Sequence, residues 1–452
     1  MDIEWYMPLR SFRFWTVEAL DELRRIKREH PDFVTYVLDG VTYVLDIYLE
    51  ARPDAKKEIE DLIESGKLTI GPFFTQFDEW LPSAESIVRN CLYGNRKCRK
   101  YGKIMRAGYL PDNFGYPLQM PQILNNFGID SLLFMRGLPE IPGGHPDEFV
   151  YTGIDGSKVL VSHFRDSYGG AYNIFDKDID PMQPRDIPYH QGYYSYEYYM
   201  ELANHSDQEK IALELIQNAI NIKDRYPSGI IPLIAGYDHF PPQAKMADIL
   251  KLANSMQDEI EFVMGDAEGY IRMVQANISH PMEYDKELIG SFYHHILMGS
   301  LSSRSYLKRL NFGAEALMER YTEPLDAIAG MLGYSGSRVQ LDEAWKNLMV
   351  NSAHDSIHGS SVDEVHIEME ARFAATKQIA AGLSHDAIKY IGKHLNPWWE
   401  GKGKGILTFA PADPGTPQLG QVWLPIGDEK VCIYDKEGNE LPTQVLPRED
   451  IM

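Results

Sequence analysis

Over about the first 270 residues, short β-branched or aromatic runs alternate with charged amphipathic stretches. This alternation constrains the fold more than any other feature of the chain. The strand candidates are 33–38, 68–73, 103–107, 131–135, 158–163, 230–235 and 261–264. Helical patterns lie between them at 54–65, closed by Gly66, and at 83–93, where Ser83 suits the N-cap. Further helical patterns cover 119–127, 207–224 and 244–255. Such alternation predicts an α/β domain with a parallel sheet, open or closed into a (β/α) barrel. From about Tyr270 the β signal fades. Residues 302–318, 324–331, 342–351 and 363–394 have helical spacing and predict a small bundle. A Gly/Lys linker, Gly401 to Gly405, then leads to strand-like 406–409 and 420–424. The expected domains are therefore 1–270 (barrel-like), 271–397 (helical bundle) and 404–452 (the start of an all-β domain). The last holds too few strands to bury a sandwich core, so a truncated C-terminus is expected.

Composition narrows the function. Lys and Arg number 44 against 66 Asp and Glu, a net charge of −22, and no basic stripe is visible. An acidic surface repels phosphate, so nucleic acid is not an expected partner. Aromatic residues at 12% provide core material and argue against disorder. No apolar run reaches the roughly 20 residues that span a bilayer, and no signal segment opens the chain, so no membrane association is expected. Three cysteines (Cys91, Cys98 and Cys432), without a zinc-finger pair, suggest a reducing, cytoplasmic setting.

In a parallel α/β fold, sites are built where strands end. Acidic residues follow strand candidates at Asp39, Asp78 with Glu79, Asp112, Asp166, Asp238 and Asp266. Asp112 lies in Tyr109-Leu110-Pro111-Asp112-Asn113-Phe114-Gly115-Tyr116, and Asp238 in Gly236-Tyr237-Asp238-His239-Phe240-Pro241-Pro242. Carboxylates among aromatics suit a sugar, whose ring faces stack while acids bind hydroxyls or catalyse. An Asp in such a loop can equally make an Asx-turn or a helix cap. Asp39 and Asp266, each beside a glycine, read as turn residues. His354 and His358 have the i, i+4 spacing of a helical metal pair, though a His–Asp pair such as His354-Asp355 also serves structural hydrogen bonding. His294-His295 are adjacent and in a strand would face opposite sides. The residues alone thus point to an acid-rich hydrolytic site with room for a metal.

With these motifs in view, the chain resembles the zinc-dependent α-mannosidases of glycoside hydrolase family 38, in their bacterial, cytoplasmic-type form. Those proteins open with His-x-His-Trp-Asp-x-Glu-Trp-Tyr; Asp2-Ile3-Glu4-Trp5-Tyr6 matches its tail. Four more stretches match in order. They are Leu110–Gly115 with Gln119–Leu124, Phe134–Gly137, Gly236–His239 and Ala353–Ile357; Leu301–Arg304 with Tyr306 and Lys308 is also family-like. The resemblance runs from residue 2 to about 425. It implies a barrel-like catalytic domain, a three-helix bundle and large β domains, in a chain about twice this length.

It also implies roles. Asp112 matches the nucleophile, which is also a zinc ligand, and Asp238 the general acid/base. Asp2 and His354 match further zinc ligands. Trp5 matches the aromatic wall under the sugar, Arg136 an Arg beside the nucleophile, and Asp355 a carboxylate on sugar hydroxyls. The family's remaining ligand is the His two residues before Asp2, a position this sequence does not contain. A fragment truncated at both ends, with weak zinc binding and little activity, is therefore expected. The expected cofactor is Zn2+ and the expected partner an α-mannoside or oligosaccharide. The alternatives are a hydrolase of a small mannosylated metabolite such as mannosylglycerate, a metal-dependent polysaccharide deacetylase, and a carbohydrate-binding pseudoenzyme.

Overall fold

The computed structural model describes residues 3–168, 207–236, 242–395, 405–410, 415–422, 424 and 431–446. Asp2 and Asp238 lie outside the described residues. The chain divides into two compact units, Met1–Ala316 with Val339–Ile379, and Leu317–Arg338 with Ala380–Met452.

The first unit opens with helix α1 (Leu9–Glu29), which buries the stripe Phe12, Val17, Leu20, Leu23 and Ile26. Helices α2 (Tyr43–Ala51), α3 (Lys56–Glu64) and α4 (Ala84–Lys100) follow. The N-terminus of α4 is capped as expected, since Ser83 Oγ accepts from Ser86 N at 3.0 Å. Then come β1 (Gly108–Tyr109), α5 (Met120–Asn126), β2 (Ser131–Phe134), β3 (Glu148–Thr152) and β4 (Lys158–His163). Helices α6 (Gln208–Ile222), α7 (Met246–Met256) and α8 (Ala267–Asn277) precede β5 (Met282–Tyr284).

The five strands form one sheet in the order β1-β2-β4-β3-β5. Pairing is parallel except between β3 and β4, so the sheet is mixed rather than all parallel. The expected strands at 131–135 and 158–163 are present; β1, β3 and β5 are additional. The run 33–38 is extended, but only Tyr36, Val37 and Leu38 pair with the 67–69 backbone, which is too short for a strand. Residues 103–107, 230–235 and 261–264 are described without strand pairing, and so are 406–409. The core between sheet and helices gathers Phe73, Phe77, Ile87, Leu110, Tyr116, Leu132, Phe134, Phe149 and Val161, all buried.

Helices α9 (Ser305–Leu317), α10 (Glu323–Met331), α11 (Arg338–Asn351), the single turn α12 (His354–His358) and α13 (Asp363–His394) follow, as the helical spacing predicts. In the second unit Leu325 and Ala329 pack with Ala387, Tyr390 and Ile391. An antiparallel pair, β6 (Ile433–Tyr434) and β7 (Glu440–Leu441), is the β structure among its described residues. None of the described helices is long and apolar enough to cross a membrane.

Candidate active site

The site begins where β1 and β2 end. Parallel pairing continues one step past both strands: Leu110 N donates to Leu133 O at 3.1 Å and Met135 N to Pro111 O at 2.9 Å. Asp112 and Arg136 therefore emerge side by side at the C-terminal ends of adjacent parallel strands, where α/β folds place their chemistry. Arg136 Nε donates to Asp112 Oδ1 at 2.5 Å, and Nη1 to His295 O at 2.6 Å. Burial pulls the Arg136 pKa down, but the charge and hydrogen bond of Asp112 outweigh it, so the guanidinium is held above its ordinary value. Both side chains keep 21% of their surface exposed, so the pair remains reachable.

Two glycines make this approach possible. Gly115 and Gly137 both have φ +103°, and a Cβ on either would lie 2.5 and 2.7 Å from Leu288 O. Glycine alone tolerates both conditions. The bridges Tyr116↔Leu288 and Gly137↔Gly290 then pin the 288–290 segment over the two loops.

The other wall comes from the far end of the chain. Phe77 and Ala353 form an antiparallel bridge, with Asp78 N donating to Ser352 O at 2.8 Å and His354 N to Gln76 O at 2.9 Å. This seats α12 against residues 76–78. His354 Nε2 lies 3.9 Å from Asp112 Oδ2 and 3.6 Å from Asp355 Oδ2. Phe114 stacks on His358 at 4.3 Å between centroids and meets His354 edge-on at 5.4 Å. The two histidines do not converge on one point: His354 faces Asp112, whereas His358 Nε2 faces Asp78 Oδ2 at 3.8 Å. The i, i+4 spacing is real, but the residues serve different partners.

Sequence reasoning gave little weight to Asp78 and Glu79. Both are buried, and burial raises both carboxyl pKa values; in Glu79 the Asp78 charge adds to the rise. Asp78 Oδ1 accepts from Trp80 N and Leu81 N, each at 2.8 Å, and Glu79 Oε1 accepts from Asn113 Nδ2 at 2.7 Å. Asn113 Nδ2 also donates to Phe77 O at 2.5 Å, so the residue after Asp112 is fixed by the segment that carries the acids. Burial, with Lys308 and His354 adding, lowers the His358 pKa to about 3, so its ring is neutral. Asp39 is a turn residue as expected, with φ +46°, whereas Asp266 is the N-cap of α8 and accepts from Gly269 N at 2.7 Å. Asp166 pairs with Arg225 on the surface. The adjacent histidines lie outside any strand; His294 Nε2 reaches Arg165 O, and the backbone carbonyl of His295 accepts from Arg136.

A cavity of about 1200 Å³ has Asp112 and His354 on its wall, with Gln76, Tyr36, Trp15 and Tyr168 among its polar and aromatic lining. Trp5 sits edge-on to Tyr6 at 5.0 Å. For a metal, the Asp112 carboxylate and the His354 imidazole offer one oxygen and one nitrogen donor facing each other, the donor types zinc takes. Among the described residues no cluster of three or more His, Cys, Asp or Glu is placed to hold a metal.

The N-terminal domain of glycosyl hydrolases family 38 matches residues 1–287, and the α-mannosidase middle domain matches residues 295–391. The chain belongs to glycosyl hydrolase family 38. It is similar to a putative mannosylglycerate hydrolase of Halalkalibacterium halodurans, 28% identical over 414 residues, covering 87% of this chain and 42% of that protein. It is also similar to human alpha-mannosidase 2C1, 25% identical over 81% of this chain and 32% of that protein. Among solved structures, an alpha-mannosidase from Enterococcus faecalis V583 superposes with TM-score 0.76 at 29% identity, over 87% of this chain and 42% of that one. The chain thus spans less than half the length of these relatives.

Proposed function

We propose that this chain carries the catalytic portion of a retaining, zinc-dependent α-mannoside hydrolase. The observation that carries the reading is that Asp112, held by Arg136, and His354 face each other on the cavity wall beyond the β1 and β2 ends. Asp112 attacks the anomeric carbon while Asp238 protonates the leaving oxygen, so the C1–O bond breaks as a C1–carboxylate bond forms. Asp238 then takes a proton from water, which displaces Asp112 and releases mannose with retained configuration. Arg136 aims the Asp112 carboxylate through its hydrogen bond. Trp5 provides an apolar face for the sugar ring, and Asp355 accepts from its hydroxyls.

Asp2, Asp112 and His354 would hold the zinc, which would supply Lewis-acid binding of sugar hydroxyls. The division into barrel, bundle and β domain, and a cytoplasmic setting, belong to the same proposal.

The test is covalent labelling. A 5-fluoro α-mannosyl fluoride should add one sugar to Asp112, read by peptide mass spectrometry, and a label on Asp238 instead would reverse the assignment. The Halalkalibacterium relative's name favours a second reading, a small mannosylated metabolite as substrate. Rates on mannosylglycerate and on an α-mannobiose compared side by side would choose between the two.

A further inference from the structure

Glu4 has no part in the chemistry just proposed, yet it is built into the site. Its side chain is fully buried. Its Oε1 accepts from Arg372 Nη2 at 2.5 Å and from Ser356 Oγ at 2.6 Å. Ser356 lies in α12, two residues after His354. Arg372, on α13, also donates through Nε to Asn351 Oδ1 at 2.5 Å, and Asn351 Nδ2 donates to Met369 O at 3.1 Å. One residue on, Trp5 O accepts from Val362 N at 2.9 Å. The N-terminal segment is thus fastened to both ends of the 351–362 stretch. A cavity of only about 10 Å³ lies between Glu4, Gln76, His354 and Asp355, room for at most one water.

A buried ion pair contributes little net stability compared with apolar residues of the same size, because its desolvation cost offsets the attraction. What a charge-assisted hydrogen bond between buried partners adds is a fixed geometry. We propose that Glu4, clamped by Arg372 and Ser356, is a positioning residue. It locks Trp5 onto the turn carrying His354 and Asp355, and so holds His354 in its place opposite Asp112. The inference rests on the α-mannosidase reading.

The test compares Glu4→Gln, Ser356→Ala and Arg24→Met with a parent in which Met1 is replaced by His-Thr-His-Trp to supply the upstream His, all below their unfolding temperatures. Arg24 pairs with Glu58 and Tyr48 and serves as the stability control. Zinc affinity is read by competition with a chromophoric chelator, and kcat and KM on an aryl α-mannoside. Loss of a partner that orients metal ligands typically costs about 10–100-fold. Glu4→Gln should weaken zinc binding by about that factor and lower kcat more than it raises KM. Arg24→Met should lower the unfolding temperature and leave zinc affinity unchanged. A folded Glu4→Gln with zinc affinity and kcat within about two-fold of the parent would overturn the proposal. If Glu4→Gln does not fold, Ser356→Ala, which removes one hydrogen bond, decides in the same way. A parent that neither binds zinc nor cleaves the mannoside overturns the α-mannosidase reading and this inference with it.

Discussion

Arg136 shows how much of a site one side chain can hold. It bridges Asp112 and the backbone of His295, so replacing it removes a charge beside the proposed nucleophile and a prop from the 288–295 segment at once. A hydrogen bond to a charged group contributes about 1.5–3 kcal/mol. Arg136→Met should therefore lower kcat/KM by about 10–100-fold with the fold intact, measured by steady-state kinetics beside circular dichroism. At Asp238 the proposed acid role predicts dependence on the leaving group: Asp238→Ala should slow alkyl mannosides strongly and activated aryl mannosides much less, because the latter need little protonation. Equal losses would reduce Asp238 to a loop-shaping role. Asp112, Arg136 and His354 were legible in the sequence through their local motifs. Asp78, Glu79 and Glu4 also stood in such patterns, but their burial was not legible, since a buried carboxylate and an exposed one look alike until the partners that enclose it are known.

At the scale of elements, legibility followed burial. Ser131–Phe134 is buried throughout and Lys158–His163 nearly so, and such unbroken apolar runs announce a strand. In α1 the aromatic start, Phe12 to Trp15, obscures a 3.6-residue stripe that becomes clear only from Val17 onward. The strand β3 was hidden because Glu148 opens it, its carboxylate satisfied by Ser228. The loops after β1 and β2 depend on their glycines. Gly115→Ala meets both an unfavourable φ and the Leu288 carbonyl. Gly102→Ala meets only the φ of +94°, with nothing within 4 Å. Left-handed strain costs on the order of 1–3 kcal/mol, so Gly102→Ala should fall in that range and Gly115→Ala exceed it. Urea unfolding of the two variants gives the order, and equal costs would show that the Leu288 segment yields.

Across the whole molecule, buried imidazoles make stability depend on acid. Burial, with Lys308 contributing, lowers the pKa of His358 to about 3; burial and Arg304 lower that of His366 to about 4. The unfolded chain takes up these protons near pH 6.5. Between that pH and about 4 the unfolded state binds more protons than the folded one, so stability falls as pH falls. His366→Leu should make the decline between pH 6.5 and 4 shallower than in the parent, followed by urea midpoints at several pH values. An unchanged slope would mean that His366 is already charged in the fold.

The pairing of Gln76 with His354 has a consequence for synthesis. The two residues are 278 positions apart. A ribosome adding roughly 5–20 residues per second leaves the first wall waiting on the order of 15–55 s for the second. Until then the backbone of 76–78 lacks its bridge to Ala353, and Asp78 lacks the His358 ring that faces it. The nascent chain carries half a site, open on the side that the turn at His354 arrives to close.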